Sequence, residues 1–291
     1  MTRQTTPLSL LAALVLAWPC SACTPDTAER NSEGDQVDFG GGDKDTGGDS
    51  DRGDVRDTTG GDTDAEPDTP LPDTGDPYSG LDGLSDGPLK DALHDIVAGH
   101  RAFTYDDARD LMYGKRGTID VVDGMIECVY TGRRVTPDRT KTPGGFNTEH
   151  SWPRSDGADE LPAVADIHHL FPVDAQANST RGNQRYGDTN CGNSCDYAVG
   201  GSSLGPAADG EGTAFEVRGK SQGDMARAHF YFSVRYELPI PSSEEDDLRA
   251  WHVADPVDDA ERARNDRIER VQNNRNPFID LPELVERIDN F

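Results

Sequence analysis

Residues 24–87 contain almost nothing from which a folded core can be built, and this limits where the chain can fold at all. Blocks such as Gly40-Gly41-Gly42-Asp43-Lys44-Asp45-Thr46-Gly47-Gly48-Asp49 are written in Asp, Gly, Thr and Pro. A segment that buries no large apolar side chains has nothing to offset the entropy of ordering it. The expectation is a disordered, self-repelling acidic linker, with one folded unit over 88–291. The net charge of -27 is unevenly spread: residues 24–88 carry 19 acids and 4 bases, residues 89–291 carry 36 and 23. The longer part is acidic but not polyacidic. A polyanionic partner would have to be met by a few locally placed cations. The scattered Asp-x-Asp pairs lack the ligand spacing of an EF-hand, so no calcium loops are expected there.

Residues 1–23 run from Met1-Thr2-Arg3 through the apolar stretch Leu8–Trp18 to Cys20-Ser21-Ala22-Cys23. The apolar run is too short for a transmembrane helix and has the form of an export signal. Ser21 and Ala22 before Cys23 fit a bacterial lipobox, although Cys20 stands where Leu is usual. The reading is a signal peptide over 1–23 with Cys23 acylated, hence an exported protein that meets a membrane only through a lipid anchor; cleavage near Ala22 without lipid is the alternative. Export leaves Cys128, Cys191 and Cys195 in a disulfide-permissive compartment. Three cysteines allow one bridge and one thiol, and the pairing stays open. No fourth ligand has the spacing of a zinc site.

Within 88–291, Leu89, Leu93, Ile96 and Val97 fall at helical spacing between Pro88 and Gly99, which predicts a helix with ordinary start and stop punctuation. A second short helix is expected over 106–112. The alternating run Asp123–Gly132 predicts a strand ending at a turn. Residues 188–212 read as a long Gly/Ser/Asn loop. Met225–Tyr236 returns to a helical pattern, with Asp224 as its N-cap. Val257–Ile268 has acids early and bases late, as a helix dipole favours. Phe278, Ile279, Leu284 and Val285 are expected to dock on the core, Trp251 to be core, and Arg262, Arg264 and Arg267 to pair along their helix with Glu261, Asp266 and Glu269. There is no internal repeat.

The chemistry concentrates between Phe146 and Tyr186. Asn147-Thr148-Glu149-His150-Ser151-Trp152-Pro153, Asp166-Ile167-His168-His169-Leu170-Phe171-Pro172 and Asn178-Ser179-Thr180-Arg181-Gly182-Asn183 gather the groups needed to hold a divalent cation, deprotonate water and steady a phosphate. Adjacent residues on a strand face opposite ways, so Glu149 and His150 are expected in irregular backbone between Gly144-Gly145 and Pro153. Asn178-Ser179-Thr180 is also a formal glycosylation sequon, a poor reading inside such a cluster.

In this order the three motifs resemble the endonuclease I family of secreted and periplasmic bacterial nucleases, within the His-Me finger (ββα-metal) superfamily. Gly223-Asp224-Met225-Ala226-Arg227-Ala228 and Asn274-Arg275-Asn276-Pro277-Phe278-Ile279-Asp280 extend the resemblance over about 89–291. It implies an α+β fold with a His-Me finger core embedded in a mostly helical domain. It also implies His150 as general base, and Glu149 and Asn178 as ligands of one Mg²⁺, with Mn²⁺ or Ca²⁺ as alternatives. The charge on the departing 3′-oxygen would then be offset by the ion, giving 5′-phosphate ends.

Asp166, His168 and His169 are candidates for orienting the base or the ligands, against capping for Asp166 and core packing for one histidine. Arg154, Arg181 and Arg185 are candidates for clamping phosphate. Some family members carry a phosphate-binding Arg in an insertion that the short connection Ser155–Ala165 lacks. The expected substrate is DNA with little sequence specificity, with RNA as a further candidate and no obligate protein partner. A secreted ribonuclease with the same centre and a noncatalytic surface lipoprotein are the alternatives.

Overall fold

The computed structural model describes residues 75–291, so the expectations for 1–23 and for 24–74 lie outside the described residues. Leu81 is buried, and the Arg287 guanidinium bonds the carbonyls of Leu81 and Leu84, so packing begins a few residues ahead of Pro88. Helix α1, Asp86–Ala98, buries Leu89, Leu93 and Val97 and stops at Gly99. Helix α2, Tyr105–Met112, starts at Thr104, whose side chain accepts from the Asp107 amide. Helix α1 matches the apolar spacing, and α2 falls within one residue of the helix expected over 106–112.

The alternating run after Asp123 makes much less strand than its pattern suggests. Apart from an isolated bridge of Met125 to Val122, pairing in this run is confined to β1, Ile126–Glu127, with β2, Arg134–Val135. The chain turns at once: Cys128 N donates to the Arg133 carbonyl at 2.8 Å and Gly132 N to the Cys128 carbonyl at 2.9 Å.

At the centre is an antiparallel pair of β3, Phe146–His150, and β4, Leu170–Asp174, with Glu149 opposite Phe171 and His150 opposite Leu170. Helix α3, Ala175–Arg181, follows without a loop, because the Asp174 side chain caps it by accepting from the amides of Gln176 and Ala177.

The segment expected as a loop instead holds most of a three-stranded meander: β5, Tyr197–Val199, β6, Ser202–Pro206, and β7, Thr213–Glu216. Its small polar residues hide the strand signal, which pairing supplies. Gly200 makes the β5–β6 turn with φ 66°, and a side chain there would run into the Thr131 backbone. Cys191 and Cys195 are disulfide-bonded, and Cys128 is a buried free thiol.

Helix α4, Gln222–Tyr236, is buried nearly all round from Met225 to Val234. A helix enclosed on every side is the axis of a core rather than a surface layer. Its N-cap is Ser221, and Asp224 sits inside the first turn, contrary to the capping expected of it. Helix α5, Ser242–Ala254, has no apolar stripe in its acid-rich sequence; only Leu248 and Trp251 anchor its apolar side. Trp251 is core, its indole N–H donating to Asp188 at 2.7 Å.

Helix α6, Asp259–Gln272, is capped by Asp258, which accepts from Glu261 N. Its arginines do not pair along the helix as expected. Arg262 bonds the Ile279 carbonyl, Arg264 bonds Asp120 at 2.7 Å and the Leu170 carbonyl at 2.6 Å, and Arg267 bonds the Ile119 carbonyl. Long cationic side chains with unfilled carbonyls within reach tie elements together instead of decorating a surface. Helix α7, Pro277–Asp280, and the turn after it bury Phe278, Ile279, Leu284 and Val285 as anticipated.

Helices α4 and α6 are joined by Arg227, which donates from Nε and Nη2 to the two oxygens of Glu261, both at 2.7 Å, with side chains 1 % and 6 % exposed. Removing one partner of such a pair strands a buried charge. Arg227→Met should therefore lower unfolding free energy by about 3–5 kcal/mol in urea melts, whereas a loss within the ordinary surface range would show the fork to be dispensable.

Candidate functional site

Strand β3 is regular through His150, so Glu149 and His150 face opposite ways; the irregular backbone expected around the pair lies outside it. Glu149 looks toward α3 and is 1 % exposed. Its Oε1 accepts from Arg181 Nη1 at 2.9 Å and from the Tyr186 hydroxyl at 3.5 Å. Burial pushes its carboxyl above the ordinary value, against the pull of Arg181 and the Tyr130 and Tyr186 hydroxyls. Asn178, half-buried and one turn before Arg181, donates its Nδ2 to Asn147 Oδ1 at 2.9 Å and to the Thr148 carbonyl at 3.2 Å.

Two oxygens remain uncommitted on this face. Among the described residues neither Glu149 Oε2 nor Asn178 Oδ1 takes part in a hydrogen bond, and neither is among the sealed, unsatisfied polar atoms. A carboxylate oxygen and an amide oxygen are donors of the type that suits a hard divalent ion.

His150 occupies the other face. Its Nε2 lies 3.1 Å from the Val164 carbonyl, and its ring sits 5.1 Å from Tyr105 and 5.3 Å from His169. A carbonyl only accepts, so Nε2 carries the proton and Nδ1 keeps its lone pair. Burial pushes the imidazole down to about 4, with Arg154, Arg181 and Arg109 acting in the same direction, and it is neutral near pH 7.

The remaining expected residues divide sharply. Asp166 caps the turn before β4 by accepting from His168 N at 3.1 Å, and its carboxylate also accepts from Gln272, Tyr231 and Tyr236. Burial opposes its charge, but His168, His100, His169 and the Gln272 bond outweigh it and hold the carboxyl below its usual value. His168 bonds the Asn274 carbonyl and His169 the Ala163 carbonyl, both rings buried. His169 lies edge-on to His150, while His168 stacks on Tyr231 away from it.

Two of the three arginines are already paired within the protein. Arg181 is 1 % exposed and fully engaged: besides Glu149 it bonds the carbonyls of His150, Ser151 and Gln184 and stacks on Tyr186. Arg185 bonds Asp209 at 2.5 Å and the Ser243 carbonyl. Arg154 is exposed and near enough to His150 to influence it. Tyr105 and Arg109 on α2 also face His150 and carry no motif in the sequence; their i, i+4 spacing was the only signal. A cavity of ≈ 300 Å³ bounded by Asp120, Cys128, Phe171, Asp224 and Arg264 includes none of Glu149, His150 and Asn178.

Residues 88–283 match a family model described as endonuclease I. The chain is 34 % identical over 242 residues to the extracellular ribonuclease of Bacillus subtilis (strain 168), covering 75 % of this chain and 80 % of the relative. It is 36 % identical over 245 residues to the extracellular ribonuclease of Bacillus amyloliquefaciens, with 76 % and 80 % covered. An extracellular deoxyribonuclease of Aeromonas hydrophila is 34 % identical over 123 residues, 40 % of this chain and 48 % of that one.

Burial pushes His168 down to about 4 and His169 and His229 down to about 3. The unfolded chain therefore takes up these protons first as pH falls. Each ring's contribution to stability is complete above the ordinary value near 6.5 and is withdrawn as pH drops through the window toward its folded value. Ring-nitrogen NMR should show all three neutral at about pH 5 in the folded protein; a charged signature at that pH would contradict the sealed packing.

Proposed function

The chain belongs to the endonuclease I family, and from that premise we propose an exported, metal-dependent hydrolase of nucleic-acid phosphodiester bonds with little sequence specificity. His150 is its general base, and Glu149 and Asn178 hold one divalent cation, Mg²⁺ in preference to Mn²⁺ or Ca²⁺. We also propose that β3, β4 and α3 form its His-Me finger core. Two antiparallel strands running directly into a helix support that reading.

The observation that carries the proposal is the His150 imidazole at the last pair of the β3–β4 ribbon, held by its Nε2 on the Val164 carbonyl and next in sequence to a carboxylate that faces α3. Anchored by the Val164 carbonyl, His150 offers Nδ1 to a water and takes its proton as the water attacks phosphorus. Arg181 holds Glu149 by Oε1, leaving Oε2 for a ligand, and the Nδ2 bonds of Asn178 turn its Oδ1 outward. When bound, the cation would offset charge on the phosphorane and the departing 3′-oxygen, consistent with 5′-phosphate products. Arg154 is the one of the three arginines first considered that remains available to a phosphate. Backbone charge and shape, rather than base edges, would be read.

A ribonuclease reading is favoured by a specific observation. The two relatives named ribonuclease align with about three quarters of this chain, against 40 % for the deoxyribonuclease. Export agrees with the relatives' extracellular naming, and acylation of Cys23 behind an acidic tether that ends ahead of Leu81 remains our proposal from the sequence. Purified full chain should cut RNA, single-stranded DNA or plasmid only with a divalent cation present, and EDTA should stop it. His150→Ala should lose about 10²–10⁴-fold in rate. Undiminished cutting by that variant would remove the assigned base, and parallel digestion of the three substrates ranks RNA against DNA.

A further inference from the structure

With Arg181 and Arg185 spent on buried and half-buried carboxylates, a phosphate drawn to His150 meets few cations. One is Arg154, on the turn after β3. The other comes from α2, where Tyr105 and Arg109 lie four residues apart on one helix face. The Arg109 guanidinium carbon is 5.4 Å from the Tyr105 ring centroid, and that ring is 5.1 Å from the His150 ring, tilted by 39°. Tyr105 thus touches both Arg109 and His150.

The anchoring of Arg109 is incomplete. Its Nη2 donates to the Lys141 carbonyl at 2.7 Å, while its Nε is buried with no partner among the described residues. Its Nη1 takes part in no hydrogen bond among the described residues and is not sealed from solvent, so a phosphate oxygen beside His150 is an acceptor of matching charge that it can reach. The neighbouring hydroxyls face the same way: Tyr113, also from the α2 end, bonds Thr148 on the His150 face of β3. The acids of α2 do not oppose a phosphate strongly, because Asp107 and Asp110 each bind Arg116 at 2.6 Å and Asp106 binds Lys141.

We propose that Arg109 clamps the phosphate of the nucleic-acid strand held against His150, with the Tyr105 ring as the spacer that sets guanidinium and imidazole apart. This rests on the nuclease reading above and assigns the second cation that reading lacks.

The test uses the full chain carrying His150→Ala, so that nothing is cut, and fluorescein-labelled single strands of RNA and of DNA, with anisotropy followed from about 50 to 200 mM salt. Adding Arg109→Met should weaken binding about tenfold at low salt and flatten the slope of log K against log salt by about 0.7, the share of one lost phosphate contact on a single strand. Arg270→Met, an exposed cation in the last turn of α6 with the same loss of charge, should leave the slope as it was. An unchanged slope in Arg109→Met, or equal flattening in Arg270→Met, overturns the clamp alone. If the parent binds neither strand, the nuclease reading falls and the clamp with it.

Should Arg109→Met not fold, Arg109→Lys in the chain with His150 intact decides the matter. A point charge without the guanidinium fork should lose about tenfold in kcat/KM; wild-type turnover in that variant overturns the clamp.

Discussion

Arg181 lies beneath the β3–β4 ribbon with 1 % of its surface exposed, and the architecture of the site follows from where its guanidinium is spent. It joins the carboxylate of Glu149 to the carbonyls of His150, Ser151 and Gln184 while stacking on Tyr186. One side chain thus fixes the end of β3, the exit from α3 and one oxygen of the buried acid. Neither partner is stable alone in such a place: an unpaired carboxylate or guanidinium would cost several kcal/mol. The consequence for function is that Glu149 is positioned rather than free, and only its second oxygen is left for the proposed ion.

The same use of arginine recurs through the domain. Arg227 forks onto Glu261, Arg249 bonds Glu245 and the carbonyls of Val285 and Ile288, Arg264 bonds Asp120 and Leu170, and Arg275 gathers Asp266, Glu269 and Asp280. In a chain with 55 acids against 28 bases, many of the cations are therefore turned inward as ties between helices. Little basic surface is left to attract a polyanion at long range. Recognition in the proposed nuclease must be short-range, resting on the ion and on guanidinium groups near His150.

Helix α4 shows why polar groups accompany this core. Because it is enclosed, its Arg227, His229 and Ser233 have to be satisfied inside the protein. Arg227 and Ser233 are, through Glu261 and the Leu238 carbonyl at 2.6 Å, while His229 Nδ1 has no partner among the described residues. The buried histidines around the site, by contrast, stay neutral, since burial disfavours their charge.

The sequence by itself determined what depends on local pattern and composition. The spacing of Leu89, Leu93 and Val97 placed α1, the acids and bases of 257–268 placed α6, the C-terminal apolar residues were core, and the order of the Glu149-His150, Asp166 and Asn178 motifs identified the family. Tertiary structure decided what depends on partners far along the chain. The meander at 197–216 exists because short polar strands pair, which no apolar alternation announces. Arg181 and Arg185, read as phosphate clamps beside a polar motif, were claimed by Glu149, Asp209 and the Ser243 carbonyl, while Arg109, dozens of residues upstream, was carried to His150 by α2. Local sequence states which groups a site can contain; which charges are already neutralised by a buried partner is settled only when elements distant in sequence pack together.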